Sequence, residues 1–277
     1  MEKKFKLGVI GAGFMSNAIL KGVLKSNILS KNQIIVSDIN AKSLENVNNL
    51  LGVNITNDNV FLANNSEFIL FAIKPQNCFD VLSQISSCTC KKFISIMAGV
   101  NKAKIKQFFN NVLVARCMPN TPCSIGCGAV GIDLSDFVET SNINDVNFIK
   151  GIFESIATVV VLSEEKLNIV TGISGSAPAY FYLFLKSIID VGVENGLTYQ
   201  QACALATNTM IGAGKMILDN SDKTIDQLIS AVCSKGGTTI EAVNVFNENK
   251  LNDITNKAIA ACLKRAKELE EILWKKL

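Results

Sequence analysis

The segment that most constrains this chain is its opening. An apolar run, Leu7-Gly8-Val9-Ile10, leads into Gly11-Ala12-Gly13-Phe14-Met15-Ser16, and apolar residues then recur at helical spacing through Ile19, Leu20 and Val23. A strand that passes into a helix through two glycines one residue apart brings backbone N–H groups close to an anion. Gly11 permits the tight turn. Gly13 omits the side chain that would block a pyrophosphate, and the helix N-terminus supplies unpaired donors and positive potential. Ser16 stands where the usual pattern has a third glycine, a position that needs only a small residue where helix and strand touch. A plain glycine-rich turn shares this spacing; the place of the motif at the first strand favours the dinucleotide reading.

From Lys6 to about Leu162 the pattern alternates short β-rich runs with helical stretches, as a parallel sheet with crossover helices does. Strands are expected at 7–10, 33–37, 68–73, 93–97, 112–117, 129–133 and 158–162. Several are apolar at consecutive positions, as strands covered on both faces should be. After Ser163 helical spacing takes over, at 177–194, 199–218, 238–247 and 253–274. The expected fold class is therefore α/β: an N-terminal Rossmann-type, doubly wound, mostly parallel sheet over 1–162 and a C-terminal all-helical domain over 163–277. A chain of 277 residues with 48% hydrophobic and 18% charged residues suits two such cores.

Composition narrows the partners. The net charge of +3 comes from 27 basic and 24 acidic residues spread along the chain, without the clustered stripe that neutralising a phosphate backbone requires, so nucleic acid is not expected. Nine cysteines in a chain with no histidine match no common zinc spacing, so no metal is expected, and an odd count points to reduced thiols and a cytoplasmic location. Neither the glycine-punctuated start nor the uncharged stretch 167–185, which contains Asn168, Thr171, Ser174, Ser176 and Pro178, reads as a membrane element.

Other strand ends carry small or functional residues. The second expected strand ends in Ser37-Asp38: Asp38 suits the ribose 2′-hydroxyl of NAD, while Ser37 and nearby lysines suit the 2′-phosphate of NADP, and both readings stay open. Two more end in Ala72-Ile73-Lys74-Pro75 and Ala98-Gly99, where a cofactor approaches the backbone beyond the carboxyl ends of the strands. Asn120 follows the fifth strand, either against a nicotinamide or as a turn cap. Arg116, one of two arginines, reads as a structural ion-pair partner. Further on, Gly236-Gly237-Thr238-Thr239 precedes a helix; the glycines form either an N-terminal site for a carboxylate or an ordinary helix–helix turn with threonine as N-cap.

Taken in order, the glycine loop at 11–16, FAIKP at 71–75, SIMAG at 95–99, RCMPNTP at 116–122, SGSAPAYF at 174–181 and CSKGGTT at 233–239 resemble the pyrroline-5-carboxylate reductase family over nearly the whole chain. The resemblance implies that Gly11, Ala12, Gly13, Phe14, Met15, Ser16, Ser37, Asn59, Ala72 to Pro75, Ala98 and Gly99 line an NAD or NADP site. It also implies that Ser234 to Thr239 hold a cyclic imino acid, and that the helical domain builds dimers that assemble further into rings. Two departures stand out: Lys235 replaces the family's usual proline, and Ala177 replaces a common second glycine.

Reducing such an imine needs hydride at carbon and a proton on nitrogen. With no histidine, the proton source is a hydroxyl such as Thr239, or Lys74 or Glu164 acting through water, or the substrate arrives already as its iminium; the last is preferred, with Thr239 as the positioning donor and Glu164 among the substrate-side candidates. Two other functions fit parts of the pattern. A β-hydroxyacid-type dehydrogenase would need a lysine such as Lys166, Lys186 or Lys215 at the nicotinamide, and a non-catalytic NAD(P) sensor would not need the 233–239 loop.

Overall fold

The computed structural model describes residues 3–140 and 143–274; the ends of the two expected domains, at 1–2 and 275–277, lie outside them. Eight strands form one sheet: β1 Phe5–Ile10, β2 Ile34–Ser37, β3 Asn54–Thr56, β4 Ser66–Phe71, β5 Lys92–Ser95, β6 Leu113–Met118, β7 Gly128–Asp133 and β8 Ala157–Val161. Their order is β3-β2-β1-β4-β5-β6-β7-β8, and every neighbouring pair is parallel except β6 and β7. The chain builds outward from β1 in one direction, then restarts at β4 on its other side. A crevice therefore opens beyond the carboxyl ends of β1 and β4, where doubly wound sheets bind ligands.

Apolar side chains alternate between two cores, one on each face. Leu7, Val9, Phe68, Leu70 and Ile94 share one cluster with Ile19, Leu20 and Val23 of the helix Phe14–Lys25; Ile35, Ile69, Phe71, Phe93 and Val114 belong to the other. This two-sided burial is why the strands read as continuous apolar runs. Each fully buried Phe or Leu contributes about 1.5–3 kcal/mol, which makes the sheet a rigid platform. Register places Ser37 beside Ile10, Ile10 beside Phe71, Phe71 beside Ser95 and Ser95 beside Arg116. The strand ends singled out by the sequence thus form one row.

Two elements escaped the sequence reading. The edge strand β3 is only Asn-Ile-Thr and offers no apolar run, and the helix Ile225–Val232 is short. The expected strand at 68–73 instead spans Ser66–Phe71: Ala72 leaves the sheet, its N–H donating to the Ile10 carbonyl at 2.9 Å, and Ile73 packs on the core from the loop.

The chain divides into two compact units, one of residues 1–176 with 262–277 and one of residues 177–261. The division falls later than Leu162 because Leu167 and Val170 pack on Gly131 of β7, where a Cβ would lie 3.0–3.1 Å from them. Among the described residues of the second unit, all regular structure is helical. The helices Ala177–Glu194 and Tyr199–Asp219 pack closely at Gly192 and Ala202, and the second begins with a Thr198/Gln201 capping box. This unit holds a cavity of about 820 Å³ lined by apolar side chains and Thr209. Phe181 and Leu205, which line the cavity, and Leu183 and Leu218, elsewhere on this unit's surface, are each more than half exposed. No described helix is long and apolar enough to cross a membrane.

Candidate active site

Gly11 has φ +109°, and a Cβ there would lie 2.5 Å from the Ala72 carbonyl oxygen, so the turn requires glycine twice over. Its N–H donates to the Ser37 carbonyl at 2.7 Å, which ties the loop to the end of β2. Gly13 is exposed and has nothing within 4 Å of a built Cβ. It is the N-cap of the helix Phe14–Lys25 and supplies no side chain to the first-turn N–H groups. Without a capping side chain, these donors are of the kind a pyrophosphate takes up. Ser16 is buried, its hydroxyl donating to the Gly13 carbonyl at 2.9 Å, which fits the small-residue requirement at that contact. Met15 packs on the core, whereas Phe14 is exposed. Asn17, which the sequence reading passed over, braces the loop by donating Nδ2–H to the carbonyls of Ala12 and Gly13.

Asp38 meets this loop directly: its Oδ2 accepts the Ala12 N–H at 2.7 Å and its Oδ1 the Asn40 N–H at 2.8 Å. Ser37 and Asn59 play another part. The Ser37 hydroxyl donates to Asn59 Oδ1 at 2.6 Å and Asn59 Nδ2 donates to Gln84 Oε1 at 2.8 Å, a chain buried at Ser37 and Asn59 that anchors the end of β2 and reaches the surface at Gln84. Lys74 is exposed and starts the short turn Pro75–Asn77.

Pro75, Ala98 and Gly99 line one cavity of about 720 Å³ with Asn168, Thr171, Ser176 and residues of the last helix from Cys262 to Ile272. Gly99 sits under that helix at φ +71°, with Glu270 3.6 Å from a built Cβ, and Asn101 Nδ2 donates to Glu270 Oε1 at 3.3 Å. Asn120 is engaged at both ends of its amide: Oδ1 accepts the Ala129 N–H at 3.0 Å and Nδ2 donates to Ser174. Its side chain does not cap the turn Thr121–Ile125 that follows it, the second of the two sequence readings; it ties that turn to β7 and to Ser174 instead. Glu164 is likewise engaged, accepting the Lys102 N–H at 2.7 Å and lying 3.5 Å from the guanidinium of buried Arg116.

Sequence reasoning missed the ion cluster next to these groups. Lys102 Nζ lies 2.5 Å from Asp133 and 3.0 Å from Asp136, and Lys106 lies 2.7 Å from Asp136. Burial alone would lower the Lys102 pKa, but the hydrogen bonds and charges of both carboxylates hold it above the ordinary lysine value. Burial likewise works against the Asp136 carboxylate, yet Lys106, the Val114 N–H and Lys102 keep its pKa below the usual range. The cluster pins the start of the helix Lys102–Lys106, and with it the loop carrying Ala98 and Gly99. Its only trace in the sequence was an aspartate at the end of a strand, Asp133, with a second, Asp136, three residues on.

In the second unit, Gly236 adopts φ +70° and Gly237 is the N-cap of the helix Thr238–Glu248. The threonine cap considered from the sequence is not formed, because the chain enters the helix one residue earlier. The Gly237 N–H donates to the Ser234 carbonyl at 3.0 Å, and a Cβ on Gly237 would crowd the Ser234 hydroxyl, which can rotate away, so the backbone demand for glycine falls on Gly236. No side chain caps the helix, and Ser234, Lys235, Thr238 and Thr239 are all exposed.

The chain is 33% identical over 276 residues to pyrroline-5-carboxylate reductase of Vibrio alginolyticus, covering 98% of this chain and 100% of that one. The chain belongs to the pyrroline-5-carboxylate reductase family. The Synechocystis member is 33% identical over 95% of this chain and 98% of its own. Among solved members of the family, that from Coxiella burnetii superposes with a TM-score of 0.87 at 30% identity, over 96% of this chain and 99% of that one. The Plasmodium falciparum pyrroline carboxylate reductase, solved with NADP bound, gives 0.84 at 29% identity over 98% and 100%. A family model described as pyrroline-5-carboxylate reductase dimerisation matches residues 164–269, and one described as NADP oxidoreductase, coenzyme F420-dependent, matches residues 6–99.

Proposed function

We propose that this chain reduces 1-pyrroline-5-carboxylate to L-proline with hydride from NAD(P)H, the last step of proline biosynthesis. The observation that carries the reading is the loop Gly11–Ser16, with its enforced turn at Gly11 and uncapped donors behind Gly13, in a chain that matches this reductase family end to end. Residues 1–162 bind the dinucleotide, with Gly11 to Ser16, Asp38, Ala72 to Pro75, Ala98 and Gly99 nearest to it. Ser37, Asn59 and Asn120 hold those strand ends in place through the hydrogen bonds described above. Residues 163–277 hold the substrate and form the dimer.

When bound, the nicotinamide supplies the hydride. The protein's own share is positioning and exclusion of water. The uncapped N-terminus of the helix Thr238–Glu248, with Ser234, Gly236 and Gly237, suits the substrate carboxylate through backbone N–H groups. Thr239 sets its hydroxyl against the ring nitrogen, its oxygen accepting the N–H of the protonated imine rather than donating to it. Because the imine arrives protonated, no acid is required, which is consistent with a chain that has no histidine. Glu164, committed to Arg116 and Lys102, acts on the substrate by orienting its surroundings. Exposed apolar residues such as Phe181, Leu183 and Leu205 support dimerisation through the helical unit, since exposed apolar surface of this kind marks interfaces. Nine free cysteines, five of them buried, support a reducing cytoplasmic setting.

The test is oxidation of NADH and NADPH, followed by nicotinamide absorbance, with and without 1-pyrroline-5-carboxylate. Oxidation dependent on the imino acid, with proline formed in equal amount, is expected. Measurable cofactor binding without imine-dependent oxidation would overturn the reading.

A further inference from the structure

We propose that this chain selects NADH over NADPH and that Asp38 makes the choice. The inference rests on the reductase reading and adds the identity of its reductant. Asp38 follows the last residue of β2, and its carboxylate is fixed from two sides, by the Ala12 N–H at 2.7 Å and the Asn40 N–H at 2.8 Å. A carboxylate fastened to the glycine loop itself accepts a ribose 2′-hydroxyl and repels a 2′-phosphate. Two backbone donors hold it there, so swinging away would break both bonds.

Groups that would welcome the 2′-phosphate are engaged elsewhere. The Ser37 hydroxyl is buried and donates to Asn59. Of the chain's two arginines, Arg116 is buried beside Glu164 and Arg265, on the helix Leu251–Trp274, pairs with Glu268 at 3.0 Å. The residue after the acid, where a cation would have to offset the phosphate, is Ile39, 91% exposed. The Lys31 side chain lies against Gly52, 3.5 Å from a built Cβ. Lys42 is exposed on the helix Ala41–Leu51, and a lone hydrated ammonium lacks the bidentate phosphate grip of a guanidinium.

The experiment measures binding rather than turnover: calorimetric titration of the purified full chain with NADH and with NADPH, without imino acid. NADH should bind about tenfold more tightly or better, the scale of one unfavourable charge contact near the surface. Asp38→Asn keeps the shape and removes the charge, and the preference should fall by about tenfold. Ile39→Arg leaves Asp38 in place and should narrow the preference by tightening NADPH, which keeps the test available if Asp38→Asn does not fold. NADPH binding as tight as NADH in the unaltered chain overturns the proposal, as does an unchanged preference in folded Asp38→Asn, or binding of neither nucleotide. NADH-selective binding without imine-dependent oxidation would reject the reductase reading alone. Imine reduction that runs better on NADPH, with matching affinities, would reject this inference alone.

Discussion

Gly11 and Gly13 stand two residues apart in one loop, yet the structure assigns them different duties, and alanine at each position separates the two. At Gly11 an alanine must hold φ +109° with its Cβ 2.5 Å from the Ala72 carbonyl oxygen and 2.8 Å from its carbon. The backbone conformation costs about 1–3 kcal/mol and the overlap about 1–3 more, because the clashing atoms are main chain and cannot rotate away. Ala72 is itself held to Ile10 by a 2.9 Å hydrogen bond, so relief would disturb the β1–β4 pairing. At roughly 2–4 °C per kcal/mol for a chain of this size, Gly11→Ala should lower the melting temperature by on the order of 10 °C. Gly13 has φ −82° and free space around its Cβ position. There alanine costs the fold about 1 kcal/mol or less as a poorer N-cap, but it puts a methyl group where the anion must approach. Gly13→Ala should melt within a few degrees of the unaltered protein, by the same scale, and bind NADH about tenfold more weakly or worse. Differential scanning fluorimetry and nucleotide titration on both variants give the comparison. A Gly11→Ala protein of unchanged stability, or a Gly13→Ala protein of unchanged nucleotide affinity, refutes the division of roles.

Four further outcomes follow from the geometry. Thr239→Ala should lower kcat/KM about tenfold to a hundredfold, the loss of one hydrogen bond of roughly 1.5–3 kcal/mol to a charged group; unchanged kinetics would remove Thr239 from the reaction. Lys102→Met takes the cation from buried Asp133, while Lys106 still pairs with Asp136, and should cost about 3–5 kcal/mol in a denaturation experiment. Asp136 is held below its unfolded pKa, so its contribution is complete above the ordinary carboxylate range and fades as the pH falls through the folded pKa; acid melting curves should lose part of that slope in Asp136→Asn. Burial raises the thiols of Cys78 and Cys90 to about 11, so at neutral pH a thiol reagent should label exposed Cys127 well before either, as peptide mapping will show.

Legibility in the sequence followed the range of the interaction. The glycine loop could be read because its demands are local: a turn at Gly11, an absent side chain at Gly13 and a small residue at Ser16 concern neighbours along the chain. Strands showed as apolar runs because burial on both faces leaves a mark at each position, and β3, which lacks that mark at Asn54 and Thr56, did not show. The long helices of the second half appeared through their period.

What side chains do across the fold was hidden. Ser37 and Asp38 are adjacent, and the sequence left open which serves the cofactor; in the fold the Ser37 hydroxyl is spent on Asn59, while the Asp38 carboxylate meets the glycine loop at Ala12. Asn120 and Glu164 looked available until Ala129, Ser174, Lys102 and Arg116 were brought to them. Composition, period and turn chemistry by themselves determined the fold class and the place of the anion loop, since these depend on residues close in sequence. Only the tertiary structure decided which polar groups remain free for a ligand, because hydrogen-bond partners tens of residues apart meet only once the sheet has formed.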